Sequence, residues 1–222
     1  MHCIDLPDWA VERGRAINAF DAIDPARTAL VAVDMQNVFL APGEVFGNQH
    51  ALDIIPAVNR LAAAMRGAGG TVIWTRQTVS HATPLAMPAW QYDLSIPHVR
   101  RAVETMLAGT NSHALHPAMA IAREDVVLDK YRYSAFLCPA RALAAALEQR
   151  HIEMLVIAGT LTNVCCESTA RDGNMLGYQV IMASDAAAAA TDAEHNAALL
   201  NLRLNFADVR STAEICAMLE GR

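Results

Sequence analysis

The sequence predicts a three-layer αβα domain of the α/β class, built on a parallel, six-stranded, doubly wound (Rossmann-like) sheet. Short runs of branched apolar residues alternate along the chain with segments of helical spacing, which implies a parallel sheet covered on both faces. The runs are apolar at consecutive positions, as strands buried on both sides require. No internal repeat or linker divides the 222 residues, so residues 1–222 are expected to form one domain.

In chain order, residues 1–27 read as an N-terminal arm with a short helix around Ala10 to Phe20, closed by a turn at Asp24-Pro25. Thr28 to Asp34 is the first strand, an apolar run ending in a carboxylate. Pro42 and Gly43 mark a loop. Ala51 to Ala68 then carries Leu52, Ile55, Val58 and Leu61 at helical spacing, with Pro56 near its start or at a kink. Gly69-Gly70 ends that helix before the second strand, Thr71 to Thr75. Gln77 to Pro97 lacks periodicity and contains Pro84, Pro88, Trp90 and Tyr92. A loop this long in a compact domain suits a lid or a binding segment. Val99 to Leu107 reads as a helix, Gly109 to Pro117 as a loop, and Asp125 to Asp129 as a strand running into Lys130. Pro139 to Arg150 is an alanine-rich helix with proline near its start. Leu155 to Ala158 is a buried strand broken by Gly159, and a helical pattern begins at Val164. A strand at Gln179 to Ala183, a helix from Asp192 to Leu204, a short strand at Ala207 to Arg210 and a helix from Thr212 complete the chain.

Composition removes several function classes. With 54% hydrophobic and 18% charged residues the chain is not disordered, and a formal charge of −6 argues against nucleic acid or an anionic membrane as partner. No apolar segment is long enough to span a bilayer, and the N-terminus lacks a basic stretch followed by an apolar one, so no signal peptide is expected. Five cysteines, an odd number without framework spacing, suit a reducing cytoplasm. Of 17 basic residues only Lys130 is a lysine. Its place at the end of an apolar strand suggests a task for a compact ammonium that a guanidinium does not perform.

Ligands of doubly wound sheets bind outside the carboxyl ends of the strands. Asp34, Lys130 and the pair Cys165-Cys166 all fall there. The pair sits where a strand hands over to a helix, whose free N–H groups and positive dipole end favour a thiolate. A carboxylate could take a thiol proton, an ammonium could hold the ionised pair, and sulfur could attack a carbonyl. Taken singly, the three residues have plain readings as a turn residue, a surface lysine and a small core hydrophobe. Their shared location favours chemistry. Cys166, Ala170, Gly173 and Gly177 form a small-residue helix face suited to close packing on the sheet.

Val33-Asp34-Met35-Gln36-Asn37, Lys130 followed by Tyr133-Ser134-Ala135-Phe136, and Gly159-Thr-Leu-Thr-Asn-Val-Cys165 followed by Glu-Ser-Thr-Ala-Arg-Asp resemble the motifs of the isochorismatase-like cysteine hydrolases. The resemblance covers about residues 25–215. It implies a triad of Asp34, Lys130 and Cys165, with the nucleophile six residues after the glycine, so that Cys166 takes the place of an apolar core residue. Cys3, Cys138 and Cys216 are expected to be structural. The resemblance also implies a cis peptide between Leu161 and Thr162, and an oxyanion site made by the backbone N–H groups of Leu161 and Cys165. It further implies a dimer or tetramer.

Substrate contacts are expected from Gln36, Phe39, Trp74, Arg76, Trp90, Tyr131 and Asn163, which lie at the strand ends or in the proline-rich loop. Trp74 and Phe39 could equally be core, and Arg76 a surface ion pair. No cofactor or metal is expected. The Asp-x-His motif of the nicotinamidase branch is absent from Trp74-Thr75-Arg76-Gln77, and His113-x-x-His116 lacks a carboxylate partner at telling spacing. The expected activity is hydrolysis of a C–N bond in a small amide, carbamoyl or ureido compound through a thioester. The motifs look closest to those of ureidoacrylate and carbamoyl amidohydrolases. The alternatives are vinyl-ether hydrolysis of the isochorismatase type, disfavoured by the presence of Cys165, and a catalytically silent binding protein, disfavoured by the intact triad.

Overall fold

Strands form where branched apolar residues concentrate: β1 (Thr28–Val33), β2 (Thr71–Gln77), β3 (Val126–Lys130), β4 (Met154–Thr160), β5 (Gln179–Ala188) and β6 (Asp208–Arg210). In the computed structural model, which describes residues 1–221, they pair in parallel in the order β3-β2-β1-β4-β5-β6. The chain winds outward from β1 to β3, then returns to β4 on the other side of β1. That places the topological switch point between β1 and β4. All residues of both strands are buried.

The helices are α1 (Asp8–Arg15), α2 (Asn37–Leu40), α3 (Gln49–Asp53), α4 (Ile55–Gly67), α5 (Pro97–Thr105), α6 (Ala142–Gln149), α7 (Glu167–Met175), α8 (Asp192–Asn205) and α9 (Thr212–Leu219). Alternate side chains of each strand enter opposite apolar layers, as the period of two dictates. Leu30, Ala32, Trp74 and Val156 meet Val58, Leu61 and Met65 of α4 and Ile215 of α9. Val31, Val33, Ile73 and Leu155 meet Leu143 and Leu147 of α6, Ala170 of α7 and Leu199 of α8. The sheet therefore carries helices on both faces, as the sequence predicts.

Local differences have local causes. The arm's helix runs from Asp8 to Arg15 rather than around Ala10 to Phe20, because Pro7 sits at its N-cap with extended backbone that sets the start. Pro56 lies in the first turn of α4, where its missing N–H has no intrahelical role, so it starts the helix and does not kink it. The sequence reading omits α2, at four residues too short to carry a periodic signature, and its helix from Ala51 to Ala68 is divided at Ile54 into the end of α3 and α4. β5 continues past Ala183 to Ala188, with its register against β4 shifting between Ile157 and Gly159.

The arm is pinned by a stack of three imidazoles. His2 lies between His50 and His195, with ring centroids 4.0 and 4.2 Å away. Its Nδ1 lies 2.7 Å from Asp192 Oδ1 and its Nε2 accepts the Ala189 N–H at 3.0 Å, which fixes a neutral Nδ1–H tautomer. Burial, and then His2 beside it, push His195 down to about 4. Burial also lowers His2, against the pull of Asp192. A group whose folded pKa is depressed contributes stability above its unfolded value, and that contribution is lost as pH falls. We predict that folding free energy measured by urea denaturation drops by about 2–3 kcal/mol between pH 7 and pH 4 through this stack. His195→Asn should flatten that slope. An unchanged slope in the variant would remove His195 as its cause.

Candidate active site

Three segments reach the carboxyl end of the sheet at the switch point. β1 stops at Val33, and Asp34 follows with φ at 51°, in the left-handed region that turns the chain sharply. Its N–H donates to the Thr75 carbonyl at 3.1 Å, which ties the turn to β2. The Asp34 carboxylate is fully buried. Oδ1 accepts from Thr75 Oγ1 at 2.7 Å, and Oδ2 lies 2.8 Å from Lys130 Nζ.

Lys130 ends β3 and is also buried. Besides Asp34, its ammonium donates to Gln77 Oε1 at 2.6 Å and to the Arg132 carbonyl at 3.1 Å. Three tetrahedrally directed N–H bonds thus meet three acceptors, an arrangement that a planar guanidinium does not match. Burial alone lowers the ammonium's pKa, but Asp34 and then Cys165 outweigh it and raise the value above normal.

Cys165 stands on a single wide helical turn, Thr162–Cys166, between β4 and α7. The Leu161 carbonyl closes the turn by accepting from the N–H groups of Val164 and Cys166, each at 3.1 Å. Gly159 makes this approach possible. It pairs with Val33 across the sheet at φ 110°, and a Cβ there would lie 2.1 Å from the Val33 carbonyl oxygen. The non-proline cis peptide joins Thr160 to Leu161, one residue earlier than the expected Leu161–Thr162 bond. β4 extends through Thr160, and Leu161 is already the cap of the wide turn, so the strand-to-helix junction falls at that earlier bond.

The thiol of Cys165 is buried beside both Asp34 and Lys130, close enough for each to act on its ionisation. Its pKa is pushed up to about 12, first by burial, with Asp34 adding to the shift and Lys130 opposing it. Burial thus acts against the thiolate that the helix start favours, and the Asp34 carboxylate stands beside the thiol as a proton acceptor. Cys166 is fully buried on the small-residue face, its Sγ 4.0 Å from the Ala158 carbonyl.

Above Cys165 lies a cavity of about 220 Å³ lined by Phe39, Phe46, Gln77, Tyr92, Met106, Tyr133, Leu161 and Val164. This is smaller than the sites of drug-sized ligands and suits a small molecule. Gln77 contributes an amide whose Oε1 is held by Lys130 and whose buried Nε2 has no protein partner. Burial, and then Tyr133 beside it, raise the Tyr92 pKa.

Of the expected substrate contacts, the cavity admits Phe39 alone. Gln36 is buried as a brace: Nε2 donates to the carbonyls of His113 at 2.8 Å and Gln77 at 3.2 Å, and Oε1 accepts the Gln77 N–H at 2.7 Å. Trp74 is core on the α4 face and donates Nε1 to Asp125 at 2.7 Å. Arg76 pairs with Asp129, its register partner on β3, at 2.7 Å. Trp90 is 82% exposed, and neither Tyr131 nor Asn163 lines the cavity. The long loop nevertheless serves the site through Tyr92. Arg132 anchors that loop through the carbonyls of Pro84, Leu85 and Ala86.

Thr75 and Gln77, which reach Asp34 and Lys130, were missed, although period two along β2 separates them from Trp74 and Arg76. Phe46 and Met106 come from distant segments and carry no sequence signal of their own, whereas Tyr133 belongs to a motif read from the sequence but was given no substrate role there.

His113 is buried with Nε2 2.7 Å from Thr78 Oγ1, while His116 Nδ1 accepts the Ala118 N–H, so these rings serve local structure. Among the described residues, His2, His50 and Asp192 bring ligand-type atoms within 4.8 Å of one another. Both nitrogens of His2 are already engaged, and its ring stacks on that of His50 rather than converging with it on a point.

Residues 28–214 match the isochorismatase domain family. The ureidoacrylate amidohydrolase RutB of Methylobacterium radiotolerans is 34% identical over 206 residues, covering 86% of this chain and 79% of that protein. A crystal structure of a cysteine hydrolase from Pseudomonas syringae pv. phaseolicola superposes with a TM-score of 0.82 at 30% identity, covering 92% of this chain and 97% of that one. N-carbamoylsarcosine amidase from Thermoplasma acidophilum shares the fold, with a TM-score of 0.67 at 22% identity over 84% and 96% of the two chains. A buried Asp–Lys–Cys cluster at the switch point and these likenesses lead to one conclusion: the chain belongs to the isochorismatase family and is a hydrolase.

Proposed function

We propose that the protein is a cysteine amidohydrolase that cleaves a C–N bond in a small amide, carbamoyl or ureido compound. The observation that carries this reading is the buried Asp34–Lys130 pair, 2.8 Å apart, with the Cys165 thiol beside both at the wall of a small cavity. Asp34 takes the thiol proton and becomes neutral, while Lys130 holds the thiolate that forms. The sulfur attacks the carbonyl carbon, and the oxyanion rests against the N–H groups of Leu161 and Cys165. Asp34 returns the proton to the departing nitrogen, which leaves as ammonia or an amine. Water, deprotonated by Asp34, then opens the thioester to the acid and restores the thiol. The activities of the relatives, on ureidoacrylate and on N-carbamoylsarcosine, favour C–N cleavage over vinyl-ether hydrolysis.

The test is ammonia release over a panel of amides, ureas and ureido acids, with Cys165→Ala alongside. Release by the wild type that disappears in the variant is the expected result. Release that survives the substitution would move the chemistry off Cys165. No release from any member would turn attention to isochorismate.

All five cysteines are unpaired, which favours a reducing compartment, the cytoplasm. The exposed side chains of Leu137, Met175 and Leu176 favour a homo-oligomer. No described helix is long and apolar enough to cross a membrane.

A further inference from the structure

Among the described residues, no cation lines the cavity that would hold the substrate. Its walls are Phe39, Phe46, Met106, Leu161 and Val164, with Gln77, Tyr92 and Tyr133 as the polar side chains besides the thiol. Cations nearby are already committed. Lys130 has its three acceptors. The terminal nitrogens of Arg132 donate to the carbonyls of Pro84, Leu85, Ala86 and Tyr131. Arg76 pairs with Asp129, and Arg171 with Glu167. The fixed negative charge beside the reacting sulfur is the Asp34 carboxylate.

A carboxylate brought into this space loses its water and meets no positive partner, at a cost of several kcal/mol. An aryl or branched alkyl group meets aromatic and aliphatic walls and gains from burial. Phe39 and Phe46 stack at 5.8 Å between centroids, and Phe46, 40% exposed, forms the outer edge of that wall. The free Nε2 of Gln77 offers a hydrogen-bond donor to an uncharged acceptor on the substrate.

We propose that the substrate is an uncharged amide or urea whose non-reacting part is apolar, and that the cavity selects against ureido and carbamoyl acids. This rests on the amidohydrolase reading and narrows it. It also sets this chain apart in specificity from relatives whose substrate, ureidoacrylate, is a carboxylate.

The test compares matched pairs by ammonia release: isovaleramide against succinamate, and butylurea against 3-ureidopropionate. The neutral member of each pair should have the higher kcat/KM, by about 100-fold or more, the ratio that about 2.7 kcal/mol corresponds to. Phe46→Arg, which places a cation at the cavity edge, should reduce that ratio at least about tenfold. Equal or better turnover of the carboxylates by the wild type would overturn this specificity alone and leave the amidohydrolase standing. No release from either member of both pairs would overturn both readings together.

Discussion

Lys130→Ala is expected to lower kcat by about 10³-fold or more and to weaken folding by about 3–5 kcal/mol, because it leaves Asp34 buried without its counter-charge. The ammonium is 2.8 Å from Asp34 Oδ2, beside the thiol, and buried. Water therefore does not take its place without reshaping the site. A second variant separates the two effects. Asp34→Asn combined with Lys130→Met removes both charges and should recover part of the stability while recovering no activity. The measurements are steady-state kinetics and urea unfolding. Lys130→Ala retaining more than a tenth of wild-type kcat would sink the role given to the lysine.

Gly159→Ala is expected to cost more than about 4 kcal/mol and to leave little folded protein. The added Cβ would lie 2.1 Å from the carbonyl oxygen and 2.7 Å from the nitrogen of Val33, both backbone atoms, and φ there is 110°. No rotamer relieves such a contact, so β1 and β4 would have to separate. Their separation would also part Asp34, which follows Val33, from Cys165, which follows the wide turn after β4. Folded yield, unfolding free energy and ammonia release should fall together. A variant of wild-type stability would show that β1 and β4 do not approach as closely as described.

The residues that position the chemistry were legible because each sits in a short local pattern. Asp34 closes an apolar run, Lys130 does the same and is the sole lysine, and Cys165 follows a glycine break between strand and helix. Strand ends can be read from a sequence, and in a doubly wound sheet those ends share one place in space. The substrate contacts were much less legible, because a strand end does not say which face a side chain takes. Trp74 and Arg76 point to one side of β2, toward Asp125 and Asp129, whereas Thr75 and Gln77 point to the side where Asp34 and Lys130 lie. Gln36 was placed at the site by its position next to the turn, yet its amide is consumed in holding β2 and the segment around His113.

The sequence by itself determined the parallel sheet, its six strands and the three residues brought to the switch point, since apolar runs, glycine breaks and strand-end polar residues are local features. Tertiary structure alone decided the state of the thiol and the shape of the cavity. Burial and the proximity of Asp34 raise the Cys165 pKa against the pull of Lys130, a balance that depends on distances between segments more than a hundred residues apart in sequence. The cavity wall draws Phe46, Tyr92, Met106 and Tyr133 from separate stretches of the chain, and only packing brings their side chains to one small volume.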